Sequence, residues 1–177
     1  AVRAGDSVTV SGGTIAIEAG NDGVRASNDT DDTLGWVLVS GGTIDITAAC
    51  DGIQAETDLT VTGGTINIAT TGEVSVSDAS SKGLKASGNV DISGGEITLE
   101  TADDGVNASG NVTMTDGTIT ISSGDDGMHA DAGMEISGGS VTVTQSYEGI
   151  EGKNVLISGG TIRVTASDDG LNAGGGA

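Results

Sequence analysis

The chain has no proline and no phenylalanine, and a single tryptophan, tyrosine and cysteine. Only six lysines and arginines stand against 26 aspartates and glutamates in 177 residues. Each scarcity excludes something. A formal net charge of −20 leaves no basic surface to replace the counterions of DNA or RNA, so nucleic acid is not an expected partner. No apolar run approaches a membrane span, so membrane insertion is not expected either. One cysteine rules out an internal disulfide framework and a cysteine-rich zinc site. With aromatics at 1% and hydrophobic residues at 35%, a core has to be built from Val, Ile, Leu and Ala.

What is abundant is glycine, 32 residues, and it recurs with a period. The second glycine of a Gly-Gly or Asp-Gly pair falls at Gly13, Gly42, Gly64, Gly95, Gly117, Gly139 and Gly160, giving intervals of 29, 22, 31, 22, 22 and 21. The base period is 22, and periodicity of this kind marks a repeat architecture rather than disorder. Each unit carries three short alternating segments, as in Val90-Asp91-Ile92, Ile97-Thr98-Leu99 and Val106-Asn107-Ala108. Period-2 alternation with β-branched residues predicts strands with one buried face. The glycine pairs and the Asp-Gly steps are expected to supply the positive-φ turns between them. Three strands per 22 residues, about seven times over, predicts an all-β chain: a single-stranded parallel β-helix, one solenoid domain over residues 1–177.

Two buried columns follow from the alignment. One runs Val24, Ile53, Leu84, Val106, Met128, Ile150 and Leu171; its small companion runs Ala26, Ala55, Ala86, Ala108, Ala130, Gly152 and Ala173. The long intervals place insertions at about 27–36 and 69–82, and long excursions from a regular scaffold are where repeat proteins carry function. The chain opens and closes in phase at the third segment without a polar cap. This is the pattern of a fragment, or of ends that stack on neighbours in end-to-end self-association.

The acidic residues concentrate just before the third segment, as Asn21-Asp22, Cys50-Asp51, Ser81-Lys82, Asp103-Asp104, Asp125-Asp126, Tyr147-Glu148 and Asp168-Asp169. Carboxylates stacked about 4.8 Å apart repel one another by roughly 1 kcal/mol even in water. Calcium, which takes six to eight oxygens, is the expected cation between them. The leading expected site is Asp103, Asp104, Asp125 and Asp126, the two consecutive repeats with doubled aspartates. Asn21, Asp22 and Asp51 form the next, and Glu148, Asp168 and Asp169 the third. The competing reading is that Asp-Gly is turn chemistry and the extra charge is solvated. Lys82 breaks the column, with Lys85 three residues on. Lys82 either replaces a bridging ion or, with Lys85 as the other option, acts as the base of a β-elimination beside calcium. A lysine flanked by carboxylates is held charged and makes a poor base.

Trp36 closes the first insertion and either stacks on a sugar ring or pins its own loop; Tyr147 is a second sugar-contact residue. His129 reads as a solvated outward residue, and Cys50 as a plain thiol. The outward threonines Thr98, Thr120 and Thr142 suggest a flat ice-binding array, but Ala16, Asp45, Asn67 and Arg163 interrupt it.

The pattern SGGTITI…DDGxNA, running from Ser7-Val8-Thr9-Val10-Ser11-Gly12-Gly13 to Asp168-Asp169-Gly170-Leu171-Asn172-Ala173, resembles a family of secreted clostridial carbohydrate-binding proteins. Their fold is a right-handed parallel β-helix related to polysaccharide lyases. The resemblance implies a calcium-loaded, extracellular or cell-surface module. It would bind cellulose or acidic pectic polysaccharide, such as that of the plant cell wall, without convincing lyase activity. By position, the aspartates above would carry the calcium. A calcium-dependent pectate-type lyase and an end-to-end stacked fibre or surface adhesin are the alternative readings.

Overall fold

The computed structural model describes residues 1–72 and 80–174. Among these there is no helix. Fifteen strands follow in chain order: β1 (Val2–Ala4), β2 (Ser7–Ala19), β3 (Val24–Ala26), β4 (Trp36–Ala48), β5 (Ile53–Ala55), β6 (Leu59–Thr70), β7 (Leu84–Ala86), β8 (Val90–Thr101), β9 (Val106–Ala108), β10 (Val112–Ser123), β11 (Met128–Ile136), β12 (Ser140–Gln145), β13 (Ile150–Ile157), β14 (Thr161–Val164) and β15 (Leu171–Asn172). They form one sheet, and eleven of them lie on a single path, β1-β3-β5-β7-β9-β11-β10-β8-β6-β4-β2. The pairings are parallel throughout.

The register is the repeat made physical. Val8 pairs with Val37, Val37 with Leu59, Leu59 with Val90, Val90 with Val112, Val112 with Met134, and Met134 with Val155. The offsets are 29, 22, 31, 22, 22 and 21, the same series as the glycine intervals. Only this register keeps every inward side chain inward, because a one-residue slip in a strand exchanges its two faces. Identical positions therefore stack as ladders, such as Ile44, Ile66, Ile97, Ile119 and Val141, all at most 1% exposed. The predicted column of Val24, Ile53, Leu84, Val106, Met128 and Ile150 is also buried, whereas Leu171 is 54% exposed.

Two details differ from the sequence reading. First, the glycine pair does not end a strand in β2, β4, β6, β8 and β10. The ladder runs through it with a shift of register, in the manner of a bulge that bends a strand while preserving most of its pairing. Second, among the described residues positive φ occurs at the second glycine of each pair, and at Gly35 and Gly72, but not at the Asp-Gly glycines preceding the third segment. Those glycines answer to a different constraint. A Cβ on Gly105 would lie 2.6 Å from the carbonyl oxygen of Gly127, and one on Gly83 would lie 2.6 Å from that of Gly105. Successive repeats approach too closely here for any side chain.

The first insertion is a folded loop. Asn28 Oδ1 accepts from the backbone of Thr30 and Asp31, and Asp31 Oδ1 accepts from the backbone and hydroxyl of Thr33. Asn28 Nδ2 donates to Asp6 at 3.2 Å, and Thr57 Oγ1 donates to the Leu34 carbonyl at 2.7 Å, which ties the loop to the repeats on both sides. Of the second insertion, expected within 69–82, residues 73–79 lie outside the described residues.

Candidate functional site

The close approach at the Asp-Gly glycines sets the geometry of the acidic column. The amides of Gly52, Gly83, Gly105 and Gly127 donate to the carbonyls of Lys82, Asp104, Asp126 and Glu148 at 2.8–3.0 Å. The residue before each glycine is thus locked above its counterpart one repeat later. Asp22, Asp51, Asp104 and Asp126 are buried. A buried carboxylate must be hydrogen-bonded and charge-balanced, and each of these is. Asp51 Oδ1 accepts from the Lys82 amide at 2.9 Å and from the Ser80 hydroxyl at 2.7 Å. Asp104 Oδ1 accepts from the Asp126 amide at 3.1 Å.

The counter-charges come mostly from a second column, three residues further on, which sequence reading did not single out as a unit: Arg25, Gln54, Lys85, Asn107, His129, Glu151 and Asn172. Arg25 lies 3.2 Å from Asp22 and 2.8 Å from Glu56, and Lys85 lies 3.1 Å from Asp51. Asn107 donates to Asp104 at 2.8 Å, and Asn172 donates to Glu148 at 2.9 Å. The signal was present as a constant i, i+3 spacing on the outward side of the third segment. Three of the chain's six Lys and Arg residues, Arg25, Lys82 and Lys85, stand on this polar ridge.

The leading expected calcium site divides in two. Asp103, Asp104 and Asp125 bring carboxylate oxygens within 4.8 Å of one another. Lys82 is already seated there, its Nζ 3.1 Å from Asp103 Oδ2 and 2.5 Å from Asp104 Oδ2. The oxygen donors are of the kind calcium takes, and the ammonium is the competitor for them. Burial opposes the Lys82 charge, but Asp104 and Asp103 together outweigh it and hold its pKa above the ordinary lysine value. An ammonium held in this way does not abstract a proton at neutral pH. Burial, and then the neighbouring Asp126, Asp104 and Asp103, raise the pKa of Asp125.

Asp126 turns instead toward His129 and Glu151. His129 Nδ1 is 3.0 Å from Asp126 and 2.8 Å from Glu151, and Nε2 is 3.0 Å from Asp131. The expectation of a solvated histidine is corrected: His129 is half-buried among three carboxylates. The hydrogen bond to Asp126 outweighs burial and, with Asp131 and Glu151, pushes its pKa up to about 9. The imidazolium therefore acts as another tethered cation. Because the folded pKa lies above the unfolded one, its contribution is complete below pH 6.5 and is lost as pH rises through about 9. We expect urea unfolding at pH 6 and pH 10 to differ by about 1–2 kcal/mol more in the wild type than in His129→Gln, after allowance for solvent screening. Equal pH dependence in the two proteins would refute the assignment.

Of the second expected site, Asp22 is paired with Arg25, Asp51 with Lys85, and Asn21 is exposed. Of the third, Asp168 and Asp169 are exposed and Glu148 is half-buried. Trp36 begins β4 in register with Ser7 and is half-buried. Tyr147 is 51% exposed beside Asp168. Trp36 and Tyr147 are about four repeats apart, roughly 20 Å along the stack. Cys50 is buried and free.

No curated protein and no solved structure matches the chain. A family model described as carbohydrate-binding domain-containing protein matches residues 1–127. That stretch runs from β1 through β10 and covers well over half of the 177 residues. The chain belongs to this carbohydrate-binding domain family.

Proposed function

We propose that the protein is a non-catalytic, extracellular polysaccharide-binding module built as a right-handed parallel β-helix of about seven coils. The family match over residues 1–127 carries the binding part of the reading. The parallel register, stepping by one repeat at each pairing, supports the solenoid. The ligand class is cellulose or an acidic pectic glycan, with Trp36, and Tyr147 at the edge of the acidic column, as aromatic contacts. Calcium belongs to the proposal in a limited role. Asp103, Asp104 and Asp125 are the residues that would hold it, in competition with Lys82. When bound, it would supply a cationic bridge to uronate carboxylates.

The charge of −20 makes this testable. A strongly acidic protein repels polygalacturonate, so acidic glycan binding should require calcium, whereas binding to an uncharged glycan should not. Pull-down on pectin and on cellulose, each with and without chelator, checks this. Pectin binding that is equal in both conditions would sink the bridge, and no binding to either polymer would sink the module. The exposed Leu156, Ile157 and Leu171 support a second reading, self-association through these apolar side chains. It requires apparent mass in light scattering to rise with protein concentration, and a constant monomer mass would reject it.

A further inference from the structure

We infer that the glycan site is a groove across the outward face of β2, β4, β6 and β8, and that it takes an uncharged polysaccharide strand laid across the β-strands. This rests on the polysaccharide-binding reading above and assigns it a place and a ligand charge.

The groove is open, with a volume of about 700 Å³. Register builds it from two rows. In the first row Ala16, Asp45, Asn67 and Thr98 stack in successive strands. Three of these four were the interruptions that spoiled the threonine array. In the second row Glu18 and Glu100 stand at the two ends, with Thr47 and Ala69 between them as a floor. Three ladder steps separate the two glutamates, roughly 14 Å. A smaller depression of about 300 Å³ shares Ala69 and Glu100 and continues past Thr101 to Ser122. The path thus follows the stack into a fifth repeat.

The chemistry of the lining selects the ligand. Asn67 Nδ2 donates to Asp45 Oδ1 at 2.7 Å, which orients both side chains. The second Asp45 oxygen and the Asn67 oxygen remain as acceptors for sugar hydroxyls. Glu18 and Glu100 add acceptors at the ends. Among the described residues no Lys or Arg lines the groove, so a uronate carboxylate would meet Asp45, Glu18 and Glu100 with no compensating charge from the lining. A neutral polyhydroxyl chain meets acceptors fixed on a rigid sheet, an arrangement that lowers the ordering cost of binding.

Two further observations favour this face. The groove lies wholly within the residues matched by the carbohydrate-binding family, whereas Tyr147 lies outside them. A second groove of about 490 Å³, along the first segment, is lined by Asn89 and Asn111. Their side-chain oxygens are already taken: Asn89 Oδ1 by the Asn111 amide and Nδ2, and Asn111 Oδ1 by the Gly133 amide.

The test is titration calorimetry of the full chain with soluble uncharged β-glucan and with polygalacturonate, in chelator. Asp45→Ala, Thr47→Arg and Glu135→Ala are compared, with thermal melts to confirm folding. We expect glucan to bind and polygalacturonate not to bind. Asp45→Ala should weaken glucan about tenfold, as for loss of a charged hydrogen bond. Thr47→Arg should block the floor, and Glu135→Ala, which removes an exposed carboxylate from the second groove, should bind as wild type. Folded Asp45→Ala and Thr47→Arg proteins that bind normally would overturn the groove. A preference for polygalacturonate would overturn the ligand charge. A wild-type protein that binds neither polymer would instead remove the parent reading, and the groove with it.

Discussion

Lys82→Met should lower stability by about 3 kcal/mol, near the lower end for breaking a buried ion pair. For a chain of this size that is a fall in Tm of about 6–12 °C. Methionine keeps the aliphatic stem, so the loss isolates the charge. Asp104 is 3% exposed and would keep its hydrogen bonds from Asn107 and the Asp126 amide. It would lose its ion-pair partner, with Asp103 beside it in the same cluster. Lys82→Arg should retain most of the stability. The variant also separates the two accounts of this cluster. If Lys82 occupies the cation seat, millimolar calcium should raise the Tm of Lys82→Met clearly more than that of the wild type. Thermal melts of the three proteins in calcium and in chelator measure this. An unchanged Tm for Lys82→Met in chelator would show that the ammonium contributes nothing to the column.

Gly105→Ala should be comparably damaging, about 3 kcal/mol, although alanine is the smallest possible change and φ is not positive there. The added methyl would lie 2.5 Å from Ile121 Cγ2 and 2.6 Å from the Gly127 oxygen. Relief requires the two repeats to separate. That weakens the Gly105 amide bond to the Asp126 carbonyl and the Val106 amide bond to the Gly127 carbonyl, 2.9 and 3.1 Å. Gly170→Ala is the control. Its nearest neighbour is Val164 Cγ1 at 4.0 Å, and the change should stay within about 0.5 kcal/mol. Urea unfolding of both variants decides the matter. Equal effects would mean that backbone entropy, rather than close approach, is what these glycines serve.

The two results bear on how the polar ridge is made. The Asp-Gly step brings repeats into contact without side chains, and this forces the preceding carboxylates to stack. The column three residues away then supplies Arg25, Lys85 and His129, and Lys82 fills the one acidic position that lacks a carboxylate. The four buried aspartates, Asp22, Asp51, Asp104 and Asp126, are therefore balanced inside the chain by Arg25, Lys85, Lys82 and His129, and the net charge is carried by the remaining acidic residues, those of the groove across β2 to β8 among them.

The amino-acid sequence alone determined the period, the strand faces, the aliphatic ladders and the parallel register. The reason is physical: burying Val, Ile and Leu every second residue allows one pairing offset, and that offset is the distance between equivalent residues. It also pointed to the doubled aspartates. Only the tertiary structure decided which partner each charge takes. Asp126 has Asp125, Asp104, His129 and Glu151 within reach, and side-chain geometry, not spacing, turns it to His129 and Glu151. It alone showed that the Asp-Gly glycines serve close approach rather than positive φ. It alone joined Asp45, Asn67, Glu18 and Glu100, drawn from four separate repeats, along one groove. Burial repeats along one dimension and can be read from a period, whereas charge pairing and surface shape depend on neighbours that the period brings equally near.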